Sequence, residues 1–151
     1  MRFFENDSLY RIMFEVGKLH HQRMHMLLEK IDVYPGQPPL IMSLAHKDGQ
    51  SQKELADTLK VKPATMTVMI SRMEKSGFVE RRQDEKDQRI SRVYITDKGR
   101  NIVVELNEIM NTIREECFSN FTNEEKALLR RMFMQMRDNL TDACENKKIE
   151  G

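Results

Sequence analysis

Between Ser51 and Gly99 the chain spells two short helices followed by two strand-like runs with a charged tip between them. Ser51-Gln52-Lys53-Glu54 reads as a capping box, in which the Ser51 hydroxyl accepts from the Glu54 amide and the Glu54 carboxylate accepts from the Ser51 amide. A helix therefore begins there, with Leu55, Ala56 and Leu59 as its apolar stripe. Val61-Lys62 turns the chain into Pro63, whose fixed φ suits the first position of a second helix, and that helix runs over 63–75 until Gly77 ends it.

On the second helix Met66, Met69, Ile70 and Met73 recur at i, i+3, i+4 and i+7, which makes them the buried face. The opposite face carries Ala64, Thr67, Val68, Ser71, Arg72 and Lys75. Short side chains let a backbone come close to base edges, and the cations suit phosphates, so this face fits a major groove. Residues 78–82 and 92–96 read as strands, and 83–91 between them as a wing. The layout is that of a winged helix-turn-helix that reads double-stranded DNA.

These residues resemble the MarR family of bacterial winged-helix regulators. The likeness rests on Gln52, Glu54-Leu55-Ala56, Leu59, Val61, Thr65, Thr67, Arg72, Glu74, Gly77, Phe78-Val79, Arg81, Asp84, Asp87, Arg89, Thr96 and Gly99 at fixed spacing. It implies a mainly α (α+β) fold, no enzymatic activity, and a ligand-responsive homodimeric repressor on a palindromic operator. It also implies contacts to DNA from Thr65, Thr67, Val68, Ser71, Arg72 and Lys75 on the recognition helix and from Asp87 and Arg89 on the wing. The arginine would enter the minor groove while the acid orients it, and the strong negative potential of a narrow minor groove favours a weakly hydrated guanidinium there. Val68 stands where a basic or long polar residue is common in the family, and an apolar side chain there would meet thymine methyl groups. Lys62 takes the place of a good N-cap.

Charge follows the same division. The chain has 25 basic and 24 acidic residues, yet residues 51–98 hold eleven Lys and Arg against eight Asp and Glu, while 1–50 balance and 99–151 are net acidic by two. The basic excess falls on the proposed reading head. Outside it, an apolar stripe from Leu9 to Ile31 predicts a helix over about residues 7–32, ended by Pro35-Gly36; Leu40, Ile41, Leu44 and Ala45 mark a short second one. Ile102, Leu106, Ile109, Met110, Ile113 and Cys117 mark a long helix, and Thr122-Asn123-Glu124-Glu125 is a second capping box opening a helix striped by Leu129, Met132, Phe133, Met136 and Leu140. Terminal helices separated by a complete small domain have more apolar surface than one chain can cover, which calls for a second copy. The expected domains are 1–36 and 99–147 for dimerisation and 37–98 for DNA binding. In the resembling family such helices interlock two subunits into a triangular dimer.

Met1 to Tyr10 shows no signal-peptide core and no apolar run has membrane-spanning length, so a cytoplasmic location without membrane contact is expected. Cys117 and Cys144 are too few for a disulfide framework and are read as small buried hydrophobes, which argues against redox sensing. His20, His21 and His25 cluster on the first helix; i, i+4 histidines can share a metal, but no accompanying ligand set is recognisable and no cofactor is expected. The family resemblance places a pocket for small aromatic acids where the first, second and long C-terminal helices meet, with His20, His21, Met24 and His46 as lining residues. Two readings from other classes stay open on the residues alone: a winged-helix protein-interaction module, which would carry apolar anchors on the face of Thr67, Arg72, Lys75 and Arg89, and an architectural DNA binder without an inducer.

Overall fold

The computed structural model describes residues 8–146, so the expectations about residues 1–7 and residue 147 lie outside the described residues. The chain divides into two compact units, Met1–Ile113 and Arg114–Gly151.

In the first unit, α1 (Leu9–Glu29) is capped by Ser8, whose hydroxyl accepts from the Arg11 amide at 3.2 Å. The helix stops at Glu29, before Pro35-Gly36, because Asp32 takes a left-handed φ of 55° and the Val33 amide closes back on the Leu28 carbonyl at 3.1 Å. Asp tolerates that conformation, and the closure satisfies a carbonyl of the last turn. Next come α2 (Pro38–His46), α3 (Gln52–Leu59) and α4 (Pro63–Lys75). The Ser51 capping box is complete, at 3.1 Å to the Glu54 amide and 2.8 Å back from the Ser51 amide. The Ser51 amide holds the Glu54 carboxyl below its usual range. Gly77, at φ +78°, ends α4 as expected.

The sheet has the order β1-β3-β2 and is antiparallel, with β1 (Gln50–Ser51), β2 (Val79–Gln83) and β3 (Ser91–Ile95). The hairpin strands lie within one residue of the expected 78–82 and 92–96; β1 was not expected, since a two-residue strand has no alternation to detect. Buried Gln50 fixes the chain there: its Nε2 donates to the Lys47 carbonyl at 2.7 Å and the Ser43 carbonyl at 3.0 Å, satisfying the end of α2. The core gathers Leu28, Leu40, Ile41, Leu44, Leu55, Met66, Ile70, Met73, Phe78, Val93, Ile102 and Leu106. Of the expected buried face of α4, Met66, Ile70 and Met73 are fully covered and Met69 is half-buried against the core.

Thr96 opens α5 (Asp97–Cys117): its hydroxyl accepts from the Gly99 amide at 3.1 Å and donates to the Gly77 carbonyl at 2.5 Å. Gly99 is required by space, since a Cβ there would press on the Phe78 carbonyl and lie 2.7 Å from Ile95 Cγ1. In the second unit Phe118 and Phe121 pack edge to face, and Thr122 and Glu125 form the expected capping box of α6 (Asn123–Asn146). No described residue of α6 is buried, and its stripe is largely uncovered, Leu140 at 65%. Leu9, Phe14, Val16 and Leu19 of α1 are also exposed. Cys117 and Cys144 are exposed in the single chain rather than buried, because the apolar faces they lie on have no covering within it.

Candidate nucleic-acid interface

The exposed face of α4 is as the helical period requires: Ala64, Thr65, Thr67, Val68, Arg72 and Lys75 are exposed, and Ser71 is half-buried. Lys62 makes no side-chain cap, and Pro63 occupies the first turn. The first-turn amides have no intrahelical acceptor and lie at the positive end of the helix dipole, which favours an anion. Thr67 is tightly placed. Its hydroxyl donates to the Pro63 carbonyl at 3.0 Å and accepts from Gln52 Nε2 at 3.3 Å, which ties the start of α3 to the recognition helix. Val68, 51% exposed, is the one large apolar side chain exposed on this helix among the described residues.

The wing is organised by two aspartates. Asp84 Oδ2 accepts from the amides of Lys86 at 3.0 Å and Asp87 at 2.9 Å, an Asx turn that starts the loop. Asp84 Oδ1 accepts from Arg92 Nε at 2.6 Å, and Arg92 Nη1 donates to the Gly49 carbonyl at 3.0 Å, anchoring the base of the wing to the β1 edge. Asp84 N to the Ile90 carbonyl and Ile90 N to the Asp87 carbonyl, both 2.9 Å, close the loop. At the tip Asp87 grips Arg89 by the side chain, from Nε at 3.0 Å to Oδ1 and from Nη2 at 3.0 Å to Oδ2. The Arg89 side chain is nevertheless 91% exposed, and its Nη1 is left to meet an acceptor. The partnerships hold both carboxyls below their usual range, Asp84 chiefly through Arg92 and Asp87 chiefly through Arg89, and raise both guanidiniums.

Three positions that matter here were visible in the sequence only as matches to the family. Gln52 and Asp84 act as just described. Arg81 is the third: Val79, Arg81 and Gln83 share a face of β2, and Arg81 pairs across from buried Val93, so an arginine there must find a partner. It finds α4, with Nη2 donating to the Ser71 hydroxyl at 2.6 Å and the Thr67 carbonyl at 3.2 Å. Asp48, which the sequence did not single out, accepts from the Ile95 amide at 2.9 Å and pairs with Arg100 at 3.0 Å, fixing the end of β3 and α5 to the turn before β1.

The expected effector residues are on α1 and α2. His20 and His21 are exposed on α1, His46 is exposed at the end of α2, and Met24 is half-buried and packs against the core. A groove of about 640 Å³ lies in the second unit, lined by Phe118, Leu129, Phe133 and Met134 and by basic side chains. Among the described residues no group of three His, Cys, Asp or Glu could hold a metal ion, and no helix is long and apolar enough to cross a membrane.

A helix-turn-helix followed by a braced hairpin defines a winged-helix fold, and comparison with known proteins says which class of winged-helix protein this is. The MarR family model matches residues 33–91. YwoH of Bacillus subtilis, described as an uncharacterized HTH-type transcriptional regulator, is 31% identical over 133 residues, covering 86% of this chain and 96% of that protein. A MarR-like transcription regulator from Bacillus cereus superposes with a TM-score of 0.77 at 27% identity, covering 89% and 97% of the two chains. A mutant MarR from E. coli, complexed with operator DNA, shares the fold with a TM-score of 0.76 at 23% identity, covering 90% of this chain and 98% of that one. This chain belongs to the MarR family of transcriptional regulators. The members of that family are regulators of transcription, not enzymes.

Proposed function

We propose that this regulator is a homodimeric, ligand-responsive repressor that binds a palindromic operator in the cytoplasm, with helix 63–75 in the major groove and wing 83–91 in the adjacent minor groove. The observation that carries the reading is Arg89, exposed at the wing tip yet oriented along its Nε–Nη2 edge by Asp87, with Nη1 left outward. An exposed guanidinium held rigid loses little freedom on meeting an acceptor, which suits a minor groove. On the recognition helix Thr65, Thr67, Val68, Arg72 and Lys75 supply the remaining contacts, with Ser71 at their edge. The operator-bound E. coli relative supports DNA as the partner.

Residues 37–98 serve as the DNA-binding domain, and 1–36 with 99–147 as dimerisation segments. The uncovered stripes of α1 and α6 support this division, because exposed apolar surface of that extent calls for a partner. A small aromatic acid near His20, His21, Met24 and His46 would act by favouring a spacing of the two recognition helices that the operator does not accept. Selection of the full chain against randomised duplexes tests the reading. The expected product is an inverted repeat whose half-site centres lie roughly 34–36 Å apart; no enriched sequence would refute it.

A further inference from the structure

Arg81 has a role that its place in the family pattern does not state. It reaches from β2 to the recognition helix, where Nη2 meets both the Ser71 hydroxyl and the Thr67 carbonyl. Its Nε is buried without a hydrogen bond of good geometry, and lies 3.2 Å from Glu74 Oε1, whose charge offsets the burial. A serine within a helix commonly turns its hydroxyl hydrogen back to the carbonyl four residues earlier, here Thr67. That carbonyl already receives Arg81, and the same guanidinium nitrogen occupies one acceptor position of the Ser71 oxygen. A hydroxyl has one hydrogen and two acceptor positions, so the Ser71 hydrogen is turned away from the cation.

We infer that Arg81 is a positioning residue for DNA recognition: it holds the Ser71 hydroxyl as a hydrogen-bond donor toward an acceptor atom of the duplex and contacts no phosphate itself. The inference rests on the proposed DNA-binding function. It makes Ser71, half-buried at the edge of the α4 face, a donor of fixed direction, and leaves the bulk of the electrostatic attraction to Arg72, Lys75 and Arg89.

The test uses full-length protein and the duplex recovered by selection, titrated by fluorescence anisotropy at several salt concentrations. Ser71→Ala and Arg81→Met are each expected to weaken binding by up to about tenfold, the worth of one hydrogen bond. The double variant should bind no more weakly than Arg81→Met alone, since both changes remove one contact. The slope of affinity against salt should stay that of the wild type, and Arg81→Lys should not restore binding, because an ammonium lacks the planar fork that spans two acceptors. Loss on the selected duplex alone assigns the acceptor to a base edge, and equal loss on an unrelated duplex assigns it to a phosphate. Wild-type affinity in Ser71→Ala overturns the inference. So does a salt slope reduced by about one in Arg81→Met with recovery in Arg81→Lys, the signature of a direct phosphate contact. Should Arg81→Met fail to fold by circular dichroism, Ser71→Ala decides alone. Wild-type protein with no preferred duplex would remove the DNA-binding reading itself, whereas intact wild-type recognition with the overturning results counts against the role of Arg81 only.

Discussion

Asp87 meets Arg89 three times: its Oδ1 accepts from the Arg89 amide at 3.1 Å and from Nε at 3.0 Å, and its Oδ2 accepts from Nη2 at 3.0 Å. One carboxylate thus fixes both the backbone and the side chain of a wing residue whose side chain is 91% exposed. Arg89→Ala is expected to weaken operator binding by about 5- to 150-fold while leaving the fold intact. Asp87→Ala should lose part of that amount, and the double variant less than the sum, because the acid acts through the arginine. Operator titrations of the three variants check this, and full affinity in Arg89→Ala would contradict it.

The same pairing gives a titration. Asp84 and Asp87 are both held below the ordinary value of 3.8. A carboxyl whose folded-state value is depressed stabilises the fold fully above its unfolded value and loses that contribution as pH falls through the lower folded value. The wing is therefore expected to loosen only below pH 3.8 and to be indifferent to pH near neutrality. Carbon-detected NMR titration should place Asp87 below 3.8 in the wild type and move it back toward 3.8 in Arg89→Ala, since the Arg89 side chain is the largest cause of the shift. Asp84, governed first by Arg92, should remain depressed in that variant. An unmoved Asp87 would show that the pair does not persist in solution.

Gly99→Ala probes the junction of the hairpin with α5. The added methyl would press on the Phe78 carbonyl and on Ile95, where no flexible side-chain end can yield. Overpacking of this kind costs typically about 1–3 kcal/mol. Urea unfolding should show a lower midpoint with an unchanged slope. An unchanged midpoint would mean that the α5 start shifts freely.

The uncovered stripes of α1 and α6 concern assembly. Sedimentation at micromolar concentration is expected to give a dimer, and removal of residues 122–151 to give aggregation rather than a clean DNA-binding monomer. A well-folded monomer of the intact chain would refute the dimerisation role of the terminal segments.

Much of the reading head was legible because its signals are local. The Ser51 capping box, Pro63, Gly77 and the three-four spacing of Met66, Ile70 and Met73 each act within one or two helical turns, as does the Thr122 capping box that opens α6 outside the head. The interactions that brace the site act over longer separations. Arg81 reaches Ser71 ten residues away, Arg92 the Gly49 carbonyl at 43, and Asp48 the Ile95 amide at 47, so no window of sequence shows them. The end of α1 was placed too late because a left-handed Asp32, not a proline, terminates it. The thiols were expected to be buried because a stripe position implies burial only once something covers the stripe.

Hydroxyl-radical footprinting of the selected duplex tests the central claim most directly, since the radical attacks sugars through the minor groove, where Arg89 is assigned. Two protected patches related by a two-fold axis are expected, each beside a major-groove half-site and with half-site centres roughly 34–36 Å apart. Arg89→Ala should erase the minor-groove patches while binding to the duplex, followed by anisotropy, persists at higher protein concentration. A single patch, uniform weak protection, or unchanged minor-groove protection in Arg89→Ala would contradict a two-fold, wing-reading regulator.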